Sequence, residues 1–250
     1  MKKEVEQQLL SINDRFYQRF GAAFAETRRR LQPGVERIID TRLENGCWLD
    51  IGCGSGVLGQ RLAQKSLRGS YLGLDFSHAL LEEAKKGAET VDPIEGFELH
   101  YQYANLLEET WQTGLEMGSF DGVLAFAVMH HLPGVNNRQR IIRQVYDLLK
   151  PGGVFIHSEW QFQNSPKLIA RVQPWAKVDL SDEVLEPGDV LLDWRHVTSG
   201  QPLETGLRYV HLFDGAELTD LARTVGFEMI EEFLSDGASG NLALYQIWRK

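Results

Sequence analysis

Leu49-Asp50-Ile51-Gly52-Cys53-Gly54-Ser55-Gly56 is the stretch that decides the fold. A strand-like entry, Gly46-Cys47-Trp48-Leu49, runs into it, and Val57-Leu58-Gly59-Gln60-Arg61-Leu62-Ala63 leaves it with the apolar spacing of a helix. The glycines therefore sit where a strand turns into a helix, the setting of a nucleotide site. Glycine opens dihedrals closed to other residues, and the free amides of a helix N-terminus point outward at a ligand. Counted from Gly52, the third glycine of a dinucleotide fingerprint would fall at Val57. The pattern is instead Asp-x-Gly-x-Gly-x-Gly, with an acid just before the first glycine.

The segments that follow alternate as a doubly wound α/β fold requires. Tyr71-Leu72-Gly73-Leu74-Asp75 reads as a second strand ending in a carboxylate about 20 residues beyond the glycines, where an acid accepts hydrogen bonds from a ribose diol. Asp75 alone could cap a helix beginning near Ser77; beside the glycine turn, ribose binding is favoured. Phe97 to Tyr101 reads as a third strand and Phe120 to Phe126 as a fourth. A helix from about Asn136 to Leu149 buries Ile141, Ile142, Val145, Leu148 and Leu149, and Lys150-Pro151-Gly152-Gly153 stops it before a fifth strand, Val154 to His157. Ligands of such sheets bind at the carboxyl ends of the strands, which nominates the loops after Asp50, Asp75, Tyr103 and Phe126.

The glycine stretch resembles motif I of the class I S-adenosylmethionine-dependent methyltransferases. The Leu149-Lys150-Pro151-Gly152-Gly153 turn, common in that family, extends the likeness over residues 47 to 157. The resemblance implies a Rossmann-like, doubly wound seven-stranded sheet, mostly parallel with an antiparallel last strand, helices on both faces, and S-adenosyl-L-methionine as cofactor. It implies that Asp50 places the methionine end, that Gly52, Cys53, Gly54 and Gly56 pack beneath it, and that Asp75 and Phe76 meet the adenosine. Ala104 and Asn105 stand where relatives put an aspartate against the adenine amino group; Asn105 departs from that, although its amide oxygen can accept the same bond. Phe126 and Ala127 lie against the cofactor or belong to the core, and both readings stand. His130 and His131 are neighbours that do not face one way on a helical turn, which argues against a two-histidine metal site. His131 faces the substrate pocket or is structural.

Composition sets wider bounds. A chain of 250 residues with 43% hydrophobic residues can bury one full core, so residues 1–250 are expected to form a single domain with length to spare for an insertion. Met1 to Gln8 is charged, no signal-like apolar run follows, and nowhere do about 18 apolar residues occur in a row, so a soluble cytoplasmic protein is expected. Cys47 and Cys53 match neither a disulfide framework nor a zinc site. The net charge of -9 argues against a large nucleic-acid footprint, yet residues 1–42 hold nine Lys or Arg against six Asp or Glu, leaving the remainder at -12. Arg28-Arg29-Arg30 is the densest basic spot, and such a run is more often a solvated face than a site.

The two ends resemble one methyltransferase subfamily, which makes the methyl ester of 5-carboxymethyluridine at the tRNA wobble position. Tyr17, Phe24, Thr27, Arg28 and Pro33 match its N-terminal segment, and Asp189 to Arg195, Arg208-Tyr209-Val210-His211-Leu212-Phe213 and Gly240-Asn241 match its later ones. The resemblance implies an N-terminal helical segment, 1–42, over the active site, and an acidic acceptor that is either a small molecule or the tRNA anticodon loop. A carboxylate is ionised at pH 7 and needs a clamp more than a base. Arginine presents a matching fork, so Arg28 and Arg208 are expected to converge beside Tyr17, Tyr209 and His131. Residues 161–205 hold four Lys or Arg against seven Asp or Glu and carry Phe162, Trp175 and Trp194 just after Trp160, a pattern of a lid or of core and poor material for tRNA. Two alternatives remain. One is a small-molecule O-, N- or C-methyltransferase using His131 or His211 as base. The other is a silent cofactor-binding partner or activator subunit.

Overall fold

The computed structural model describes residues 1–26, 30–65, 67–91, 95–196 and 204–250, with nothing stated of the side chains of residues 22, 24–26 and 196. β1 (Gly46–Ile51) pairs in parallel with β2 (Gly69–Asp75) on one side and β4 (Phe120–Phe126) on the other. β3 (Phe97–Tyr103) extends the sheet beyond β2, and β5 (Leu149–Trp160) lies beside β4. β10 (Ala243–Arg249) inserts antiparallel between β5 and β9 (Glu228–Ser235), giving the order β3-β2-β1-β4-β5-β10-β9. This is the expected seven-stranded sheet with an antiparallel last strand. Strand order reverses between β1 and β4, so the turn after β1 lies at the place where an open sheet leaves a crevice.

Alternation along the strands sends side chains to two cores. Leu49, Ile51, Val123, Ala125 and Phe155 face α5 (Val135–Leu148) and α7 (Gly215–Val225), while Trp48, Leu124, Ile156, Tyr245 and Ile247 face α2 (Pro33–Thr41) and α3 (Val57–Ala63). Local chemistry sets the ends of several helices. Pro33 opens α2, the Ser77 hydroxyl accepts from Leu80 N–H at the start of α4 (His78–Glu89), and Gly226 closes α7 in the left-handed conformation.

One boundary differs from the sequence reading. β5 begins at Leu149 because that residue pairs with Phe120, so Lys150 to Gly153 belong to the strand instead of separating it from the helix. His130 and His131 lie in a single 3-10 turn, Met129–His131.

The insertion is an antiparallel sheet in the order β6-β7-β8, formed by β6 (Val172–Gln173), β7 (Asp189–His196) and β8 (Glu204–His211). Its aromatics are core, because α1 (Lys3–Glu26) packs on them. Val5, Leu9 and Ile12 meet Trp175, Leu191 and Tyr209, and Phe16 and Phe20 meet Trp194. Phe162 is buried with Leu192 and Val210. A buried ion network holds this unit to the sheet domain. Arg138 of α5 donates to Glu186 at 2.7 Å, Glu217 at 3.4 Å and the Leu132 carbonyl at 3.1 Å, while His211 of β8 bridges Asp189 at 2.8 Å and Glu217 at 3.0 Å. Burial opposes the charge on His211, and the bonds to Asp189 and Glu217 outweigh it, so the imidazole titrates above its ordinary value. Among the described residues no helix is long and apolar enough to cross a membrane.

Candidate functional site

A cavity of about 530 Å³ opens at the carboxyl ends of β1, β2 and β4, within the usual size range of small-molecule sites. Its floor is the glycine turn. Gly52, Gly54 and Gly56 all take positive φ, of 78°, 57° and 74°. They do different work. A Cβ on Gly52 would lie 2.4 Å from Val128 and one on Gly56 would lie 2.6 Å from the Tyr101 ring, so those two are required by internal packing. A Cβ on Gly54 meets no atom within 4 Å and would project into open space at the cavity wall, where a ligand can approach the main chain.

Asp75, at the end of β2, holds this turn. Its Oδ2 accepts from Gly54 N–H at 2.9 Å and its Oδ1 from Ser77 N–H at 2.8 Å. It is therefore a structural brace, and three backbone donors leave the carboxylate acceptor capacity toward the cavity it lines. Burial raises its pKa, against three backbone donors that lower it. Asp50, deeper, accepts the Tyr71 hydroxyl. Burial pushes Asp50 up to about 7, the Tyr71 bond opposes the shift, and the charge of Asp75 adds to it. Burial also raises the Cys53 thiol, which leaves it protonated and unreactive.

Of the cofactor residues expected from sequence, Asp50, Gly52, Cys53, Gly54, Asp75, Phe76, Ala104, Asn105, Phe126 and Ala127 line the cavity, and Gly56 stands just behind it as the N-cap of α3. Asn105 spends one lone pair of its amide oxygen on Leu107 N–H at 3.1 Å. Ala127 takes φ 58° with no glycine to ease it, and its N–H is held by the Ser158 carbonyl at 3.0 Å. Such strain persists only where the surroundings over-determine it.

The roof is helical. Leu10, Asn13, Asp14 and Tyr17 of α1, with Leu31 and Val35 at α2, face the floor. Tyr17 and His131 meet at the wall, with the Tyr17 hydroxyl 3.0 Å from His131 Nε2 and the rings edge to face. His131 Nδ1 lies 3.3 Å from the Tyr209 carbonyl. A carbonyl only accepts, so the proton belongs on Nδ1, and Nε2 offers its lone pair to Tyr17.

The other expected acceptor residues are distributed differently. Arg28 lies outside the described residues. Arg208 is buried on β8, is not part of the cavity wall, and holds its guanidinium over Phe16 at 4.9 Å and Trp160 at 5.3 Å. The Tyr209 phenol donates to Asp189 at 2.9 Å, away from the cavity, so it is this residue's carbonyl that reaches the site. Among the described residues the wall contains no residue of 161–205 and no Lys or Arg.

The methyltransferase-domain family profile matches residues 49–155. The arsenite methyltransferase of Rattus norvegicus is 32% identical over 136 residues, 50% of this chain and 34% of its own length. The tRNA (carboxymethyluridine(34)-5-O)-methyltransferase of Schizosaccharomyces pombe is 24% identical over 231 residues, covering 86% of this chain and 88% of its own. The chain thus spans about a third of the length of several curated relatives and most of the length of others. A solved S-adenosylmethionine-dependent methyltransferase from Methanosarcina mazei superposes with a TM-score of 0.63 at 23% identity, over 88% of this chain and 98% of that one. At that identity the likeness establishes the fold.

The cavity fits S-adenosylmethionine on its own evidence: an open glycine at the floor, a braced carboxylate at the rim and a helical roof. Gly54→Val is expected to abolish S-adenosylmethionine binding in calorimetry while the protein stays folded; full-affinity binding by this variant would contradict the fit. Binding should also depend on pH. If Asp50 meets the ammonium group of the cofactor, as the motif implies, it must be ionised to do so, and affinity is lost as pH falls through about 7, by more than roughly tenfold between pH 7.5 and 5.5. Asp75, raised in the same sense, contributes with the same sign, and Asp50→Asn should remove most of the dependence.

Proposed function

We propose that the chain is an S-adenosylmethionine-dependent methyltransferase that methylates an oxygen of an acceptor entering between α1 and the strand tips. The observation that carries this reading is the Tyr17–His131 hydrogen bond on the wall of the cavity onto which Gly54 and Asp75 open. When bound, the cofactor supplies a methyl group on a sulfonium. Asp75 and the glycine turn would hold its adenosine, and Asp50 its amino-acid end. The remaining contribution of the protein is orientation and exclusion of water, which the helical roof of α1 and α2 provides.

The favoured acceptor is a carboxylate, giving a methyl ester. The matched segments around Tyr17 and Arg208, and the length over which the S. pombe tRNA enzyme aligns, support it. With His131 protonated, both ring nitrogens donate; Nε2–H then holds the Tyr17 oxygen and frees the Tyr17 hydroxyl to donate to the acceptor. Arg28 would complete the clamp from the segment after α1, and Arg208 would support it from behind Phe16. The presence of acids and the lack of Lys or Arg among the described wall residues favour a second reading, a neutral hydroxyl acceptor whose proton passes to Tyr17 and His131 Nε2. α1 and α2 act as the cover in either case, and the β6-β7-β8 sheet as the buttress that holds α1.

Turnover of labelled S-adenosylmethionine on bulk tRNA and on a metabolite mixture, followed by alkali, distinguishes the two, since a methyl ester releases methanol and an ether does not. For the ester, Arg28→Ala should lower turnover by about tenfold or more, the scale of a charge-assisted hydrogen bond, with cofactor affinity nearly unchanged. Alkali-stable product and full activity in this variant would transfer the assignment to the hydroxyl reading.

A further inference from the structure

Asn13 is an amide on a helix whose neighbouring stripes are apolar, and it is buried. Its partners are main-chain atoms 196 residues away. Asn13 Oδ1 accepts from Tyr209 N–H at 2.8 Å, and Asn13 Nδ2 donates to the Tyr209 carbonyl at 3.1 Å. β8 is the edge strand of the small sheet, and the carboxamide satisfies its N–H and C=O together, as a further strand would. The same amide nitrogen lies 3.5 Å from the His131 carbonyl. The Tyr209 carbonyl is also the group that faces His131 Nδ1 at 3.3 Å. One oxygen therefore takes two donors, one from the roof helix and one from the imidazole at the cavity wall.

We infer that Asn13 is a positioning residue for methyl transfer: by fixing the Tyr209 carbonyl it keeps a proton on Nδ1 of His131, so that the exchangeable position is Nε2, facing Tyr17 and the acceptor. The inference deepens the proposed function and rests on it, because the Tyr17–His131 pair matters only if the acceptor enters there. It holds for either acceptor. With a hydroxyl, Nε2 receives the proton that the acceptor oxygen gives up through Tyr17; with a carboxylate, an imidazolium keeps its Nδ1 proton on the carbonyl while Nε2–H anchors Tyr17. No net proton is consumed by Asn13 itself.

The test reads the imidazole directly. The full chain labelled with ¹⁵N-histidine is examined by NMR near pH 8 without cofactor or acceptor, and the His131 signals are assigned by their loss in His131→Gln. The native protein should show the Nδ1–H tautomer. Asn13→Ala, and Asn13→Asp as a variant of nearly the same size that loses the donor to Tyr209, should shift the tautomer ratio toward Nε2–H by roughly three- to tenfold, the worth of one hydrogen bond. An Nε2–H tautomer in the native protein, or an unchanged ratio in whichever variant folds, overturns the inference. Because this readout needs no turnover, a confirmed tautomer shift with no methyl transfer to any acceptor would defeat the proposed function and leave the role of Asn13 in setting the tautomer standing.

Discussion

The hydrogen bond from Gly54 N–H to Asp75 is the constraint on which the rest of the site depends. Three consecutive odd positions, 52, 54 and 56, turn through left-handed dihedrals, a conformation with little stability of its own. The carboxylate at the end of the neighbouring strand pins the middle of that turn, while Val128 and Tyr101 fill the space that side chains on the outer two glycines would need. The floor is therefore rigid before any ligand arrives. A site pre-organised in this way loses less ordering entropy on binding than a mobile loop would.

A second constraint shapes the roof. α1 packs on β8 of the small antiparallel sheet and also meets α4, and the small sheet is in turn held by Arg138 and His211. The chain from Arg138 to Leu132, and from β8 to His131, means that the acceptor wall and the roof are braced by the same elements. Electrostatics follow from burial here. Glu159 accepts the backbone N–H of His130 at 3.1 Å and lies 3.0 Å from its ring, and with no exposure to solvent its carboxyl is pushed well above the usual range. His157, beside it, falls to about 3 for the same reason, so at neutral pH it is an uncharged packing group.

The glycine floor of the cavity was legible in the sequence because its requirements are local. Glycines at a strand-to-helix turn, and an acid at the end of the next strand, are demands that a few adjacent residues must meet, and they leave a readable spacing. The alternation of strands and helices was legible for the same reason. What escaped depends on partners far along the chain. Nothing near Asn13 marks it as the mate of an edge strand, and nothing near Tyr209 tells that its carbonyl, not its phenol, would face the site. Ala127 hides its positive φ, since an alanine carries no sign of backbone strain. The tryptophans of the insertion read equally as lid or core until α1 is seen packed on them. Lys150 to Gly153 looks like a stop signal in sequence, and pairing of Leu149 to Phe120 starts the strand before it.

The central claim is that one cavity holds the cofactor on the Gly54–Asp75 floor and presents its sulfur end to Tyr17 and His131. A crystal structure with bound S-adenosylhomocysteine tests it most directly. The account predicts ribose hydroxyls within hydrogen-bond distance of Asp75, the ammonium group at Asp50, and the sulfur opening toward the Tyr17–His131 pair. Adenosine bound elsewhere, or a sulfur facing away from that pair, would contradict it.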